Sequence, residues 1–491
     1  MAFCCRNDLS SLVQMRNLQD SPVKNFSYIG AKIYICIVEQ TIVAPATPNG
    51  ISALAAIRVS GGETVSILKQ MFGCANPTPR QAVLATARHP KNGKLLDNLV
   101  YIFYKAPHSY TGEDSLELFP HGNPLIVRNL LDAMCQIPNV RIAFPGEYTK
   151  RAFFNGKMDL VQAESVADVI HSQTLAGVEN AQKLLSGKFS SDIRQLAHQV
   201  KDVSALLELD VDFVEEEADP NVGGWKERFL EIRNRIQYLL SHFKNAGSLN
   251  RAPRVVLYGA PNAGKSSLLN ALLKENRVLV SDVPGTTRDF IETRLALPSG
   301  EISLIDTAGI ADVAQSELDR RSMEQSAAAI ESADLAICLV DSATEFSEDS
   351  QKQIACARSK KHWVVFSKSD LKDAESGVGK AKGNVASAER MELSAKTGEG
   401  LDAFVQKLEK ALFPQGESGE EYWITNEREC AALRDADRGV ERILDLLDKN
   451  PAPELLAFEM RQVTAALASI IGEISSEDIL QTIFSGFCIG K

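Results

Sequence analysis

The stretch Gly259–Ser266 reads GAPNAGKS, a G-x-x-x-x-G-K-S spacing that follows the apolar run RVVLY and opens a helical pattern. Its glycines let backbone N–H groups close around an anion, Lys265 supplies a point charge for β- and γ-phosphate oxygens, and Ser266 offers a hydroxyl to Mg2+. Four later segments complete the same chemistry. Thr287 in PGTTRD is a hydroxyl for the Mg2+ shell when γ-phosphate is bound. DTAG, Asp306–Gly309, ends an apolar strand with a carboxylate to hold Mg2+ through water and a glycine N–H for the γ-phosphate. Asp370 in FSKSD can accept both N–H groups of a guanine edge, which adenine lacks, and SAK, Ser394–Lys396, closes the base pocket. These elements, in order and at strand ends, imply GTP binding and hydrolysis.

The nucleotide contacts expected are therefore Asn262, Ala263, Gly264, Lys265, Ser266 and Ser267 in the loop, then Ser281, Asp282, Val283, Pro284, Gly285, Thr286 and Thr287 after the helix. Asp306, Thr307, Ala308 and Gly309 follow, with Ser367, Lys368, Asp370, Ser394, Ala395 and Lys396 around the base. Ser266 and Thr287 are the expected Mg2+ ligands. Ile310 follows DTAG, and an aliphatic side chain cannot orient the attacking water, so another residue must. Asn262 fits either a turn residue or a ligand for a monovalent cation beside the phosphates. The guanine motif N-K-x-D has Ser367 in the Asn position, with one donor where an amide has two. Weakened GTP affinity, with guanine selectivity retained through Asp370, is the expected consequence.

The elements that must position these groups follow from the pattern. From Thr41 to about Asn155, short β-rich pieces (LAAIRVSG, NLVYIFYKAP, SLELF) alternate with turns. From Asp159 the period becomes helical, with Leu160, Ala163, Val166, Ala167 and Ile170 on one face. The strands RVVLY, ISLIDTAG, DLAICLVD, HWVVFSKSD and RMELSAK then alternate with helices, the rhythm of a parallel sheet. After Phe413 a PQGESGEE linker returns to helices. The expected organisation is an N-terminal extension over 1–40, a small α+β domain over 41–155, an α-helical domain in two halves, 156–250 and 414–491, and an α/β P-loop GTPase domain over 251–413 inserted between them.

The 491 residues are 44% apolar and 24% charged, with no apolar run near the roughly 20 residues that span a bilayer. The net charge of −11 repels phosphate, so any RNA contact needs a local basic patch or a partner. Nine cysteines without a C-x-x-C pair suit a reducing compartment. Cytoplasm is expected, with a mitochondrion or plastid as the alternative.

Other clusters carry less. Glu113, Asp114, Glu117 and His121 lie close in sequence but strand alternation splits them, which disfavours a metal. The acidic run Asp210–Pro220 reads as a solvated helix end, and FYKAPHSY as strand core rather than a base-stacking surface. The ending FSGFCIGK places Cys488 where a prenylation signal would, but Gly490 and Lys491 do not suit one. Gly486 and Gly490 would let the backbone turn close to a ligand, and the apolar face Val463, Leu467, Ile470 and Ile471 followed by ILQTIFSGF can anchor the terminus in a packed core.

PNAGKSSLLN with PGTTRD, between helical halves and with a terminal FCIGK, resembles the MnmE (TrmE) family of tRNA-modification GTPases. TGEDSLEL, HG and PGEYTKRAFFNGKMDLVQAES resemble the same family's N-terminal and early helical signatures. The resemblance implies a homodimer joined by N-terminal domains of a folate-binding type, and G domains that pair when K+ and GTP bind. It implies that, with an FAD-dependent MnmG (GidA) partner, the family places a carboxymethylaminomethyl-type group on carbon 5 of the wobble uridine of tRNA. The carbon comes from a tetrahydrofolate derivative, 5-formyl or 5,10-methylene. By the same resemblance the K+ site falls on Asn262, Ser281, Val283 and Thr286, and folate contacts on Arg58, Glu117, Lys157 and Lys491. Cys488 becomes a thiol near the modification chemistry, and the water-positioning acid falls on Asp319 or Glu317. The alternative is a GTP-switched RNA-binding or ribosome-assembly factor, which would lack the N-terminal strings and the C-terminal cysteine motif.

Overall fold

In the computed structural model the described residues are 40–212, 222–243, 249–260, 262–275, 291–306, 328–342, 362–371, 390–413, 422–449 and 452–491. The chain forms two compact units, Met1–Asp159 with Ser476–Lys491, and Leu160–Ser475.

The first unit is built on one six-stranded sheet of order β3-β4-β5-β2-β1-β6. Its strands are β1 (Thr41–Pro45), β2 (Ile57–Ser60), β3 (Ala82–Arg88), β4 (Leu95–Tyr104), β5 (Ser115–Phe119) and β6 (Val140–Ile142). All neighbours pair antiparallel except β1 with β6. Period-two alternation divides the faces. Ile57, Val59, Leu116 and Leu118 point into a core with Ile67, Leu68 and Met71 of α1 (Thr64–Phe72) and Leu130, Ala133 and Met134 of α2 (Pro124–Met134). Arg58 and Glu117, directly paired across β2 and β5, stand on the other face. A second cluster, Ile42, Ala44, Ala143 and Tyr148, seats α3 (Glu147–Phe154). The α12 helix (Glu477–Ser485) and the tail after it pack in this unit. Phe153 meets Phe484 at 6.4 Å between ring centroids, and both Phe484 and Phe487 are buried.

The second unit holds the helices α4 (Leu160–His171), α5 (Leu175–Leu185), α6 (Lys188–Asp212) and α7 (Val222–Ser241). With α10 (Glu427–Leu447) and α11 (Pro453–Ile471) they enclose one core that includes Phe189, Val200, Val203, Phe229, Leu433, Val440, Val463 and Leu467. It also holds the α/β module, a sheet of order β12-β11-β10-β7-β9-β8. The strands β7 (Arg254–Gly259), β9 (Gly300–Asp306), β10 (Leu335–Asp341), β11 (His362–Ser367) and β12 (Arg390–Glu392) run parallel, and β8 (Ile291–Leu297) joins β9 antiparallel. Helices α8 (Lys265–Glu275) and α9 (Leu401–Leu412) cover one face through Leu268, Leu272, Phe404 and Leu408. Burial on both faces explains why these strands read as unbroken apolar runs.

Candidate functional site

The strands β7, β9, β10 and β11 all end toward one rim, the place where ligands sit on open parallel sheets. The backbone at β7 is forced tight there. Gly259 has φ 141°, and a Cβ on it would lie 2.3 Å from the Leu339 carbonyl. Asn262 at φ 64° and Gly264 at φ 95° then turn the chain into α8, whose N-terminus presents N–H groups to an anion. Lys265 is buried and its Nζ donates to the Gly259 and Ala260 carbonyls, both at 2.9 Å. The ammonium is thus held inside the loop where phosphate oxygens would lie. The Ser266 hydroxyl donates to Asp306 Oδ2 at 3.0 Å. A hydroxyl beside a carboxylate is a hard-oxygen pair, which fits Mg2+. Ser267 is exposed on α8 and Ala263 is buried beneath the loop.

The base side of the rim is built from β11 and the turn after β12. Ser367 is buried, and its hydroxyl donates to the Ala263 carbonyl at 2.6 Å, tying this motif to the phosphate loop. Lys368 takes φ 58° and its Nζ contacts Asp341 Oδ2 at 2.6 Å. The Ser394 hydroxyl donates to Asp370 Oδ1 at 2.7 Å and accepts from the N–H groups of Lys396 and Thr397. That hydrogen bond, first among its causes, lowers the Asp370 carboxyl below the usual carboxylate range. Asp370 is thereby aimed and kept ionised as an acceptor pair. Ala395 is half-buried and Lys396 exposed on the same turn. Asp341 was not foreseen as a site residue; its position at the end of DLAICLVD, a strand neighbouring the loop, was the available signal.

Ser281, Asp282, Val283, Pro284, Gly285, Thr286, Thr287, Thr307, Ala308, Gly309, Glu317 and Asp319 lie outside the described residues.

The first unit brings a second set together. Arg58 Nε donates to Glu117 Oε1 at 3.2 Å and its Nη1 to the Gly490 carbonyl at 3.3 Å. The Tyr104 hydroxyl donates to Glu117 Oε2 at 3.3 Å, and Arg58 lies 5.9 Å over the Tyr110 ring. Burial, then the charge of Arg58, lowers the Lys491 amine from its ordinary value. The close seating of the tail requires glycine: Gly490 has φ 94°, and a Cβ there would meet the Pro45 carbonyl at 2.2 Å. Lys157 makes a separate contact, Nζ to the Pro107 carbonyl at 3.0 Å. Cys488 is exposed and in no disulfide. A guanidinium, an amine, a carboxylate and two tyrosine rings are the donor, acceptor and stacking groups that a folate's carboxylates, pterin edge and ring would need.

The neighbouring acidic residues serve structure. Glu113 accepts from Ser60 and Arg151, and His121 pairs with Asp97 at 2.8 Å. Among the described residues no three or more His, Cys, Asp and Glu side chains converge as a metal site, and no helix is long and apolar enough to cross a membrane.

A glycine-bounded loop between a parallel strand and a helix, with a serine and aspartate pair beneath it and an aspartate and serine pair beside it, defines a P-loop GTPase. Residues 41–157 match the family described as "GTP-binding protein TrmE N-terminus" and residues 160–488 that described as "MnmE helical domain". The chain is 37% identical over 460 residues to the tRNA modification GTPase MnmE of Aquifex aeolicus, covering 92% of this chain and 100% of that one. It is 38% identical over 458 residues to MnmE of Laribacter hongkongensis, covering 92% and 99%. Among solved structures, the G domain of the Thermotoga maritima FeoB iron transporter aligns at 25% identity over 33% of this chain and 99% of that one, with a TM-score of 0.26. The chain belongs to the MnmE family of tRNA-modification GTPases.

Proposed function

We propose that this GTPase is stimulated by K+, requires Mg2+, and acts as a homodimer with an FAD-dependent MnmG (GidA) partner to modify carbon 5 of the wobble uridine of tRNA. The added carbon is drawn from a tetrahydrofolate derivative, 5-formyl or 5,10-methylene. The observation that carries this reading is the seating of Gly490 and Lys491 on the Arg58–Glu117 pair, which puts the C-terminal thiol segment on a polar, cation-rich sheet face. A GTP-switched RNA-binding factor has no need of such a site.

In this reading Lys265 and the loop N–H groups hold the phosphates, while Ser266 and Thr287 hold Mg2+ and Asp306 reaches it through water. The metal supplies charge neutralisation at the phosphate oxygens. Asn262, with Ser281, Val283 and Thr286, holds K+. Thr307, Ala308 and Gly309 contact the γ-phosphate, and Asp319 or Glu317 positions the attacking water. Asp370 accepts the guanine N–H edge. On the folate side Arg58, Lys157 and Lys491 meet carboxylates and Glu117 the pterin edge, and Cys488 is a thiol near the modification chemistry. The compartment is the cytoplasm, which suits five described cysteines that are all outside disulfides.

The test is GTP turnover in K+ against Na+, with 5-formyltetrahydrofolate binding measured on the same preparation. Stimulation by K+ together with folate binding is expected. Equal rates in the two salts with no folate binding overturn the reading.

A further inference from the structure

Away from the nucleotide rim, α6 and α7 face each other across a cleft. Asp192, Gln195 and Gln199 line it from α6, and Glu231, Arg235 and Tyr238 from α7, each set on one helical face. It consists of two adjoining hollows of about 230 and 170 Å³ that share Asp192 and Arg235.

One end carries a ladder of rings. Tyr238 and His242 lie 4.4 Å apart between centroids, and His242 and Trp423 5.6 Å apart. The Arg235 guanidinium sits 4.8 Å over the Tyr238 ring. Tyr238 is 38% exposed, so part of this surface is open to a flat ligand. Beside the ladder, Asp192 is fixed by the Tyr422 hydroxyl at 2.5 Å and Arg235 Nη2 at 3.0 Å. Both bonds fall on Oδ2, so Oδ1 keeps acceptor capacity for a ligand N–H.

We propose that this cleft binds an unstacked nucleobase of RNA, a splayed nucleotide of the tRNA substrate. Aromatic faces and guanidinium planes are what proteins use to hold bases taken out of a helix, and a carboxylate with two amide side chains reads a base's polar edge. The charges lining the cleft balance, Lys188 and Arg235 against Asp192 and Glu231, so within the cleft itself the base is held by stacking and edge contacts rather than by a phosphate-binding charge. A protein partner fits less well, because protein interfaces are depleted of charge at their centre. Here Asp192, Glu231 and Arg235 occupy the middle.

The inference rests on the tRNA reading above, and its test separates the two. Full-length Tyr238→Ala and Tyr238→Phe are compared with the parent chain for binding of an unmodified tRNA transcript, for GTP turnover and for partner-flavoprotein binding. Tyr238→Ala is expected to weaken tRNA binding about tenfold or more, the scale of one lost base–aromatic stack. Tyr238→Phe keeps the ring and is expected to stay within about twofold, with GTP turnover unchanged in both. Unaltered tRNA affinity in Tyr238→Ala, beside a parent that binds tRNA, overturns the cleft assignment alone. So does loss of flavoprotein binding with tRNA binding intact. A parent chain that binds no tRNA overturns both readings.

Discussion

Ser367 shows how one side chain can carry a different load from its motif position. Its short hydroxyl predicts a poorer guanine contact, yet in the structure that hydroxyl is spent on the Ala263 carbonyl of the phosphate loop. Replacing it by alanine removes the latch and leaves a buried carbonyl short of a donor, a loss of about 1–3 kcal/mol. Ser367→Ala should therefore bind GTP roughly fivefold to a hundredfold more weakly, with the GTP-to-ATP ratio unchanged. Fluorescence titration with both nucleotides decides it, and an unaltered GTP affinity removes the latch. Selectivity belongs instead to Asp370. Its carboxyl is lowered chiefly by the Ser394 hydroxyl, so the ionised form is favoured and guanine preference persists above the ordinary carboxylate range. It is lost as pH falls through the depressed value. Ser394→Ala should move that loss to higher pH, read from GTP affinity against pH.

At the scale of elements, the joint between α4 and α10 carries buried charge. Arg428 contacts Glu164 Oε2 at 2.7 Å and donates to the Ser469 and Ile470 carbonyls at the end of α11, where a cation is favoured. Glu429 is fully buried and burial raises its carboxyl well above the ordinary value. Asp168 is pushed up to about 6 by burial and then by the charge of Glu164. A raised carboxyl favours the fold in its neutral form. The stability it contributes is complete below its ordinary value of 3.8 and is lost as pH rises through about 6. Asp168→Asn should remove that loss, so thermal unfolding of the variant should gain on the parent between pH 4 and pH 7, by up to about 3 kcal/mol. A constant difference across that range would show that Asp168 is not the titrating group. The same joint marks where helical periodicity misleads. Val166, Ala167 and Ile170 were expected on the buried face, but Ile170 is exposed while Ser165 is buried. The Ser165 hydroxyl satisfies itself on the Val161 carbonyl at 2.7 Å, so a polar residue enters the core where the pattern asks for an apolar one. Strands were easier to read. SLELF is β5 as written and RVVLY lies within β7, because alternation and unbroken apolar runs report burial directly.

At the scale of the whole molecule, the C-terminal tail returns to the sheet built from residues 41–142. The loop, Asp306 and SAK can be placed from the sequence because each lies in a contiguous stretch at a strand end. The Arg58–Gly490 contact spans 432 residues, and nothing in the local pattern of FSGFCIGK says which surface receives it. Of the stretch that anchors the terminus in the sequence pattern, Val463, Leu467, Ile470 and Ile471 lie in the second unit's core, while ILQTIFSGF does bury its aromatic residues in the first. The tail packs through Phe484 and Phe487 in the first unit. This arrangement makes Gly490 the most economical place to separate the two chemistries. A methyl group at Gly490 would lie 2.2 Å from the Pro45 carbonyl at a φ of 94° that L residues rarely adopt, so the tail must leave its seat. Lys491 then loses its place beside Arg58 and Glu117, while residues 251–413 are untouched. Gly490→Ala should weaken 5-formyltetrahydrofolate binding by at least about tenfold, the loss expected when one charge-assisted contact worth roughly 1.5–3 kcal/mol disappears. GTP turnover should stay at the parent rate. Calorimetric titration beside a phosphate-release assay reads both. Folate affinity equal to the parent's would mean that the C-terminal lysine stands near the ligand without holding it.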